Sequence, residues 1–120
     1  MSQPRTIKID EVEYVRRDDI EQKETGDMSI VRCARAGVFF GRVDSFDSKT
    51  LTAIISNARR IWYWSGANSL SQLAIDGPSK PDECKFPEAL SKIEVTEVIE
   101  IIPCTKKAID AINAVKNWKV

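Results

Sequence analysis

Three runs rich in β-branched and apolar residues, Ser29 to Arg35, Val38 to Asp44 and Thr50 to Ser56, follow one another across very short links. The links are Ala36-Gly37 and Ser45-Phe46-Asp47-Ser48-Lys49. A parallel crossover needs about a dozen residues or more, so consecutive runs of this kind pair as an antiparallel meander. Within it, Val38-Phe39-Phe40 is apolar on both faces, which suits a central strand covered on two sides, and Gly41 marks a bulge or a close approach of backbone.

The flanking segments extend this pattern. Thr6 to Ile9 and Val12 to Arg16 read as a hairpin across Asp10-Glu11, and Arg59 to Trp64 reads as a further strand after a turn at Asn57-Ala58. Residues 17–28 carry Ile20 as their only large aliphatic before Met28, so they are expected to form a mobile loop. A short helix is expected from Ser65-Gly66-Ala67-Asn68, with Leu70, Leu73 and Ala74 at helical spacing and a stop before Gly77-Pro78. Lys92 to Ile102 reads as one long strand whose apolar alternation is broken at Glu97, where a bulge explains the change of phase better than an unpaired buried carboxylate. Thr105 then caps a last helix bearing Ala108, Ile109, Ile112 and Val115 on one side. The expectation is one α+β domain over 1–120. Its antiparallel sheet has five to seven strands, with a short helix after the aromatic strand and a C-terminal helix packed on the sheet.

Charge and composition narrow the chemistry. With 18 Lys+Arg against 18 Asp+Glu and a pI of about 6.3, the chain lacks the basic excess of a protein that tracks a long nucleic acid. There is no histidine, which excludes Ser-His and Cys-His nucleophiles, and without histidine or paired cysteines a zinc site would rest on carboxylates alone. No cofactor or metal is expected. Cys33, Cys84 and Cys104 are an odd set without a C-x-x-C pair, and the start has no signal-peptide pattern. No apolar run approaches the roughly 20 residues of a membrane span. A soluble protein of a reducing cytoplasm follows.

The densest functional signal is the run from Asn57 to Ser69, which holds Arg59, Arg60, Trp62, Tyr63 and Trp64 just before the expected helix start. Guanidiniums grip phosphate with forked donors, and aromatic faces stack on bases. The free N–H groups that open a helix attract anions. The candidate ligand-binding residues are therefore Arg59, Arg60, Trp62, Trp64, Ser65, Gly66, Ala67, Asn68 and Ser69. Lys106 joins them, because a lysine in the first turn of the last helix opposes the macrodipole unless an anion sits there. Each has a plainer reading: the tryptophans as core, the arginines as surface ion pairs, and the lysine as a solubilising charge.

The string Asn57-Ala58-Arg59-Arg60-Ile61-Trp62-Tyr63-Trp64-Ser65-Gly66-Ala67-Asn68-Ser69-Leu70-Ser71-Gln72-Leu73-Ala74 resembles a family of short bacteriophage proteins. Cys84-Lys85-Phe86-Pro87 and Thr96 to Thr105 carry the same resemblance, as do Glu13-Tyr14-Val15-Arg16 and Ala36-Gly37-Val38-Phe39. The chain is similar to the first-named Thoeris anti-defence family, phage sponges that bind a cyclic ADP-ribose isomer made by an immune TIR enzyme and keep it from its effector. Some related sponges also take up cyclic oligonucleotides at separate sites on a higher oligomer. The resemblance implies a non-catalytic protein acting in the host bacterial cytoplasm, whose partner is a small nucleotide and whose form is a homodimer or higher homo-oligomer. Long nucleic acid and membrane are not expected partners. The rival readings are a nucleotide-cleaving enzyme using Glu97 or Glu100, a single-strand nucleic-acid module built on the same aromatics, and a protein adaptor anchored by them.

Overall fold

The computed structural model describes residues 28–119. The expected hairpin at 6–16 and all but Met28 of the expected loop at 17–28 lie outside them. The described chain is α+β, with one antiparallel five-stranded sheet and two short helices. The strands are β1 (Ser29–Cys33), β2 (Gly37–Asp47), β3 (Thr52–Arg60), β4 (Leu90–Val95) and β5 (Val98–Pro103); the helices are α1 (Leu70–Asp76) and α2 (Lys106–Asn113). Spatial order across the sheet is β4-β3-β2-β1-β5, so β2 is central.

Bulges organise this sheet. Register shifts between Phe40 and Arg42 and again between Val43 and Ser45 bend β2. At the first bend a side chain on Gly41 would place its Cβ 2.5 Å from Ile55 Cγ2 and 2.8 Å from the Ser56 carbonyl oxygen. Only glycine lets β3 come this close. The expected turn at Asn57-Ala58 is instead a bulge with Asn57 at φ 51°, and the runs expected as two strands are one continuous strand to Arg60. The extra residue moves the inward set from Ala53 and Ile55 to Ala58, which sequence alternation registers as a break.

Lys92 to Ile102 is not one strand. It divides at Thr96 and Glu97 into β4 and β5, which occupy opposite edges of the sheet. A two-residue link can join opposite edges only if the sheet curls back on itself, and Val95 and Val98 on either side of the link enter the same apolar cluster. Val98 donates its N–H to Leu51 O at 3.0 Å, and Ala34 donates to Glu97 O at 2.9 Å, tying the corner to both hairpin ends. Glu97 holds the corner in the left-handed region at φ 59°, with its carboxylate on Arg35 (Nε to Oε1, 2.9 Å).

The curled sheet thus has two apolar sides. Its concave side packs Val31, Cys33, Phe39, Ala53, Ile55, Ala58, Val95 and Val98. The other side, with Ile30, Phe40 and Ile61, lies under α1, α2 and Phe86. Phe39 and Phe40 are adjacent in sequence, lie in different clusters and are both buried, as a central strand requires. Each such ring contributes about 1.5–3 kcal/mol by leaving water.

Candidate functional site

The aromatic run leaves the sheet after Arg60, and this departure decides where each candidate residue goes. β3 ends at Arg60, and Tyr63 then makes an isolated antiparallel bridge to Lys85. The strand expected to run through Trp64 therefore stops at Arg60, and Trp64 packs with Ile61 in the helix-side cluster. Trp62 is 64% exposed and Tyr63 52% exposed, whereas Phe39, Phe40 and Phe86 are wholly buried.

Arg59 does not present a phosphate fork to solvent. It is 5% exposed, and its guanidinium donates to five oxygens, four of them main-chain carbonyls. Nε reaches Pro87 O at 3.0 Å, and Nη1 reaches Ile112 O at 2.8 Å. Nη2 reaches Phe86 O at 3.2 Å, Val115 O at 2.6 Å and Asn117 Oδ1 at 3.1 Å. Burial lowers the guanidinium pKa from its usual value, and the charge is met by carbonyl dipoles rather than a carboxylate. Arg59 is a clamp that fastens the end of α2 and the following tail to the Phe86-Pro87 segment. Arg60 is half-buried, lies 4.5 Å over the Phe39 ring and donates from Nη1 to Ala36 O at 2.6 Å.

The expected anion cradle is partly engaged by its own chain, through the Asn68 N–H and the side chains of Ser65 and Ser69. Ser69 caps α1 by accepting from Gln72 N–H at 3.2 Å, and Gln72 Oε1 accepts from Asn68 N–H at 2.7 Å. Ser65 Oγ donates to Glu83 Oε1 at 2.9 Å. Gly66, at φ 85°, offers its carbonyl to Ser79 N–H and Oγ; a Cβ there would lie 2.4 Å from Ser79 Oγ. Ala67 packs against the helix-side cluster. Lys106 pairs with Asp110 at 3.1 Å and Lys107 with Asp76 at 3.3 Å, which offsets the helix-dipole cost by local pairing.

The structure does not bring the candidates to one place, and Arg60, Ser65, Gly66, Ala67 and Asn68 line neither of the two clefts that others border. Arg59 and Lys106 line a cleft of about 640 Å³ with Phe40, Asn57, Ile109 and Asn113. Trp64 and Ser69 line a second of about 350 Å³ with Leu70 and the Arg32–Glu100 ion pair, whose N···O distance is 3.2 Å. Trp62 and Tyr63 border neither cleft and form the ledge.

Two residues beside the ledge carried no role in the sequence reading. Lys85 is opposite Tyr63, and its Nζ lies 5.7 Å from the Trp118 ring centre. Their signal was present only as single letters far apart, because the pairing that unites them is non-local. The three cysteines are free and buried, and burial raises each thiol pKa, Cys104 to about 12. Among the described residues, no group of three or more Cys, Asp or Glu side chains is placed to hold a metal ion, and no helix is long and apolar enough to cross a membrane.

No curated protein and no solved structure matches the chain. Residues 26–112 match the profile of a family described as a domain of unknown function, DUF6948. That match spans most of the 120 residues, and the chain belongs to the DUF6948 family.

Proposed function

We propose that this domain is a non-catalytic binding protein that holds a small nucleotide-derived ligand and so withholds it from another receptor. The observation that carries this reading is the exposure of Trp62 and Tyr63, at 64% and 52%, in a fold that buries Phe39, Phe40 and Phe86 completely. Large aromatics contribute most when buried, so two adjacent exposed rings are accounted for by a partner that stacks on them. Trp64 beside them already borders a cleft of about 350 Å³, at the low end of the volumes that enclose small molecules.

The resemblance to the Thoeris anti-defence sponges supplies the finer form of the proposal: a phage protein, acting in the host cytoplasm, with a cyclic ADP-ribose isomer or cyclic oligonucleotide as its ligand. A sponge must outcompete the effector, which favours enclosure, and a second copy laid over the ledge would provide it as a homodimer or higher homo-oligomer.

Native mass spectrometry after incubation with ADP-ribose isomers and cyclic nucleotides tests the reading. The expected result is intact nucleotide retained at a fixed ratio per protomer and released unchanged on heating, with Trp62→Ala weakening retention while leaving the fold intact. Recovery of a cleaved product would make the protein an enzyme. Affinity that grows with oligonucleotide length and falls steeply with salt would make it a single-strand module. Retention of no nucleotide at all refutes the proposal.

A further inference from the structure

Arg59 is spent on its clamp, Arg60 is turned to Ala36 O and the Phe39 ring, and Lys106 is paired with Asp110, while the ledge itself offers another cation. Lys85 and Tyr63 face each other across a two-way backbone bridge, with Lys85 N–H on Tyr63 O at 2.7 Å and Tyr63 N–H on Lys85 O at 3.3 Å. Directly opposed residues of an antiparallel pair project from the same side, with Cβ atoms about 4.5–5.5 Å apart. On the other flank, Trp118 donates its N–H to Phe86 O at 2.9 Å, and its ring lies 5.7 Å from the Lys85 ammonium. Exposed Lys85 thus has two aromatic neighbours, Tyr63 opposite it across the bridge and Trp118 beneath its ammonium, and the three make a row.

The row is fixed from beneath. Phe86 is fully buried, and Arg59 binds the carbonyls of Phe86, Pro87 and Val115 together with the Asn117 side chain, so the segments bearing Lys85 and Trp118 are held in register. Lys85 forms no ion pair with any described residue, whereas Lys92, Lys106 and Lys107 are each within 4.0 Å of an aspartate. An ammonium hovering over an indole holds a weak contact, worth about 0.5–1 kcal/mol at an exposed site, which a phosphate oxygen easily displaces.

We propose that Lys85 is the phosphate-binding cation of the site, with Tyr63 and Trp118 flanking it as stacking faces for a nucleoside bearing one or two phosphates. This assignment rests on the nucleotide-binding reading above. It makes Lys85 and Trp118 specificity-determining residues and relegates Arg59 to scaffolding.

The test uses ADP-ribose as probe and isothermal titration of the full chain. Lys85→Gln should weaken ADP-ribose binding by about tenfold or more, the worth of one charge-assisted contact, while its melting temperature stays at the wild-type value. Lys85→Arg should restore most of that loss, and Arg60→Gln should change affinity by less than about twofold, since its Nη1 already serves Ala36 O. Trp118→Ala should weaken binding with adequate folding shown by circular dichroism. Wild-type binding that survives Lys85→Gln but is lost in Arg60→Gln overturns the assignment and leaves the nucleotide-binding reading standing. Wild-type protein that does not bind ADP-ribose overturns the assignment as well, and the wider reading is then decided by the nucleotide panel.

Discussion

Replacing Arg59 with lysine keeps the charge and removes the fork, which separates a carbonyl clamp from a phosphate ligand. The wild-type guanidinium serves three buried carbonyls, on Phe86, Ile112 and Val115, and two partners nearer the surface, Pro87 O and Asn117 Oδ1. A single ammonium cannot span acceptors on three separate segments; Phe86 O and Ile112 O keep the backbone N–H groups of Trp118 and Val115, whereas Val115 O is left without another donor among the described residues. At about 1–3 kcal/mol for one unsatisfied buried group, the expected loss is about 1–3 kcal/mol. For a domain of this size that corresponds to a fall of about 5–15 °C in melting temperature. Urea denaturation followed by tryptophan fluorescence measures the free energy, and hydrogen exchange at residues 112–118 should rise in the same variant. A loss below about 0.5 kcal/mol would show that the carbonyls find other donors and that Arg59 is not a clamp.

Other perturbations have equally definite outcomes. Gly41→Ala should destabilise by about 2–3 kcal/mol, because the added carbon meets the Ile55 side chain and the Ser56 backbone; a chemical-denaturation midpoint equal to wild type would contradict the close approach. Asp44 is held below the usual carboxylate range chiefly by the Ser56 hydroxyl, with Arg42 and Lys92 adding attraction. A depressed folded value means that the contribution is present above the unfolded carboxylate pKa of about 3.9 and is lost as pH falls through the folded one. Ser56→Ala should therefore move the Asp44 titration upward in a carboxyl NMR experiment, and an unmoved or lowered titration would refute the assignment. The three buried thiols, with Cys104 pushed up to about 12, should resist a disulfide reagent at pH about 8 in native protein and react together once the chain is unfolded in urea; fast reaction of any one in the native state would contradict its burial.

The α+β class and the antiparallel meander were legible because short links forbid parallel pairing and because Val38-Phe39-Phe40 carries apolar residues on both faces. The strand boundaries around Asn57 were not, since a left-handed bulge residue and a turn residue look alike in a single sequence. The interruption at Glu97 was visible as a change of phase. That the chain also changes sheet edge there was not, because edge assignment depends on how far the whole sheet curls. The aromatic and basic run stands out by composition, but adjacency in sequence conceals divergent fates. Arg59 turns inward because five acceptors from distant segments converge on it, whereas Lys85 and Trp118 meet only through pairings with Tyr63 and Phe86. Non-local convergence of this kind leaves no periodic trace.

The pairing of β1 with β5 joins residues as far apart as Arg32 and Glu100. During synthesis, β1 can form its hairpin with β2 early, but its other edge has no partner until the segment ending at Pro103 has left the ribosome. For that interval Ile30 and Val31 sit on an open template strand, the kind of surface that invites pairing with another nascent chain. Translation that stalls between Val95 and Val98 would therefore yield a species far more prone to clumping than one stalled beyond Pro103.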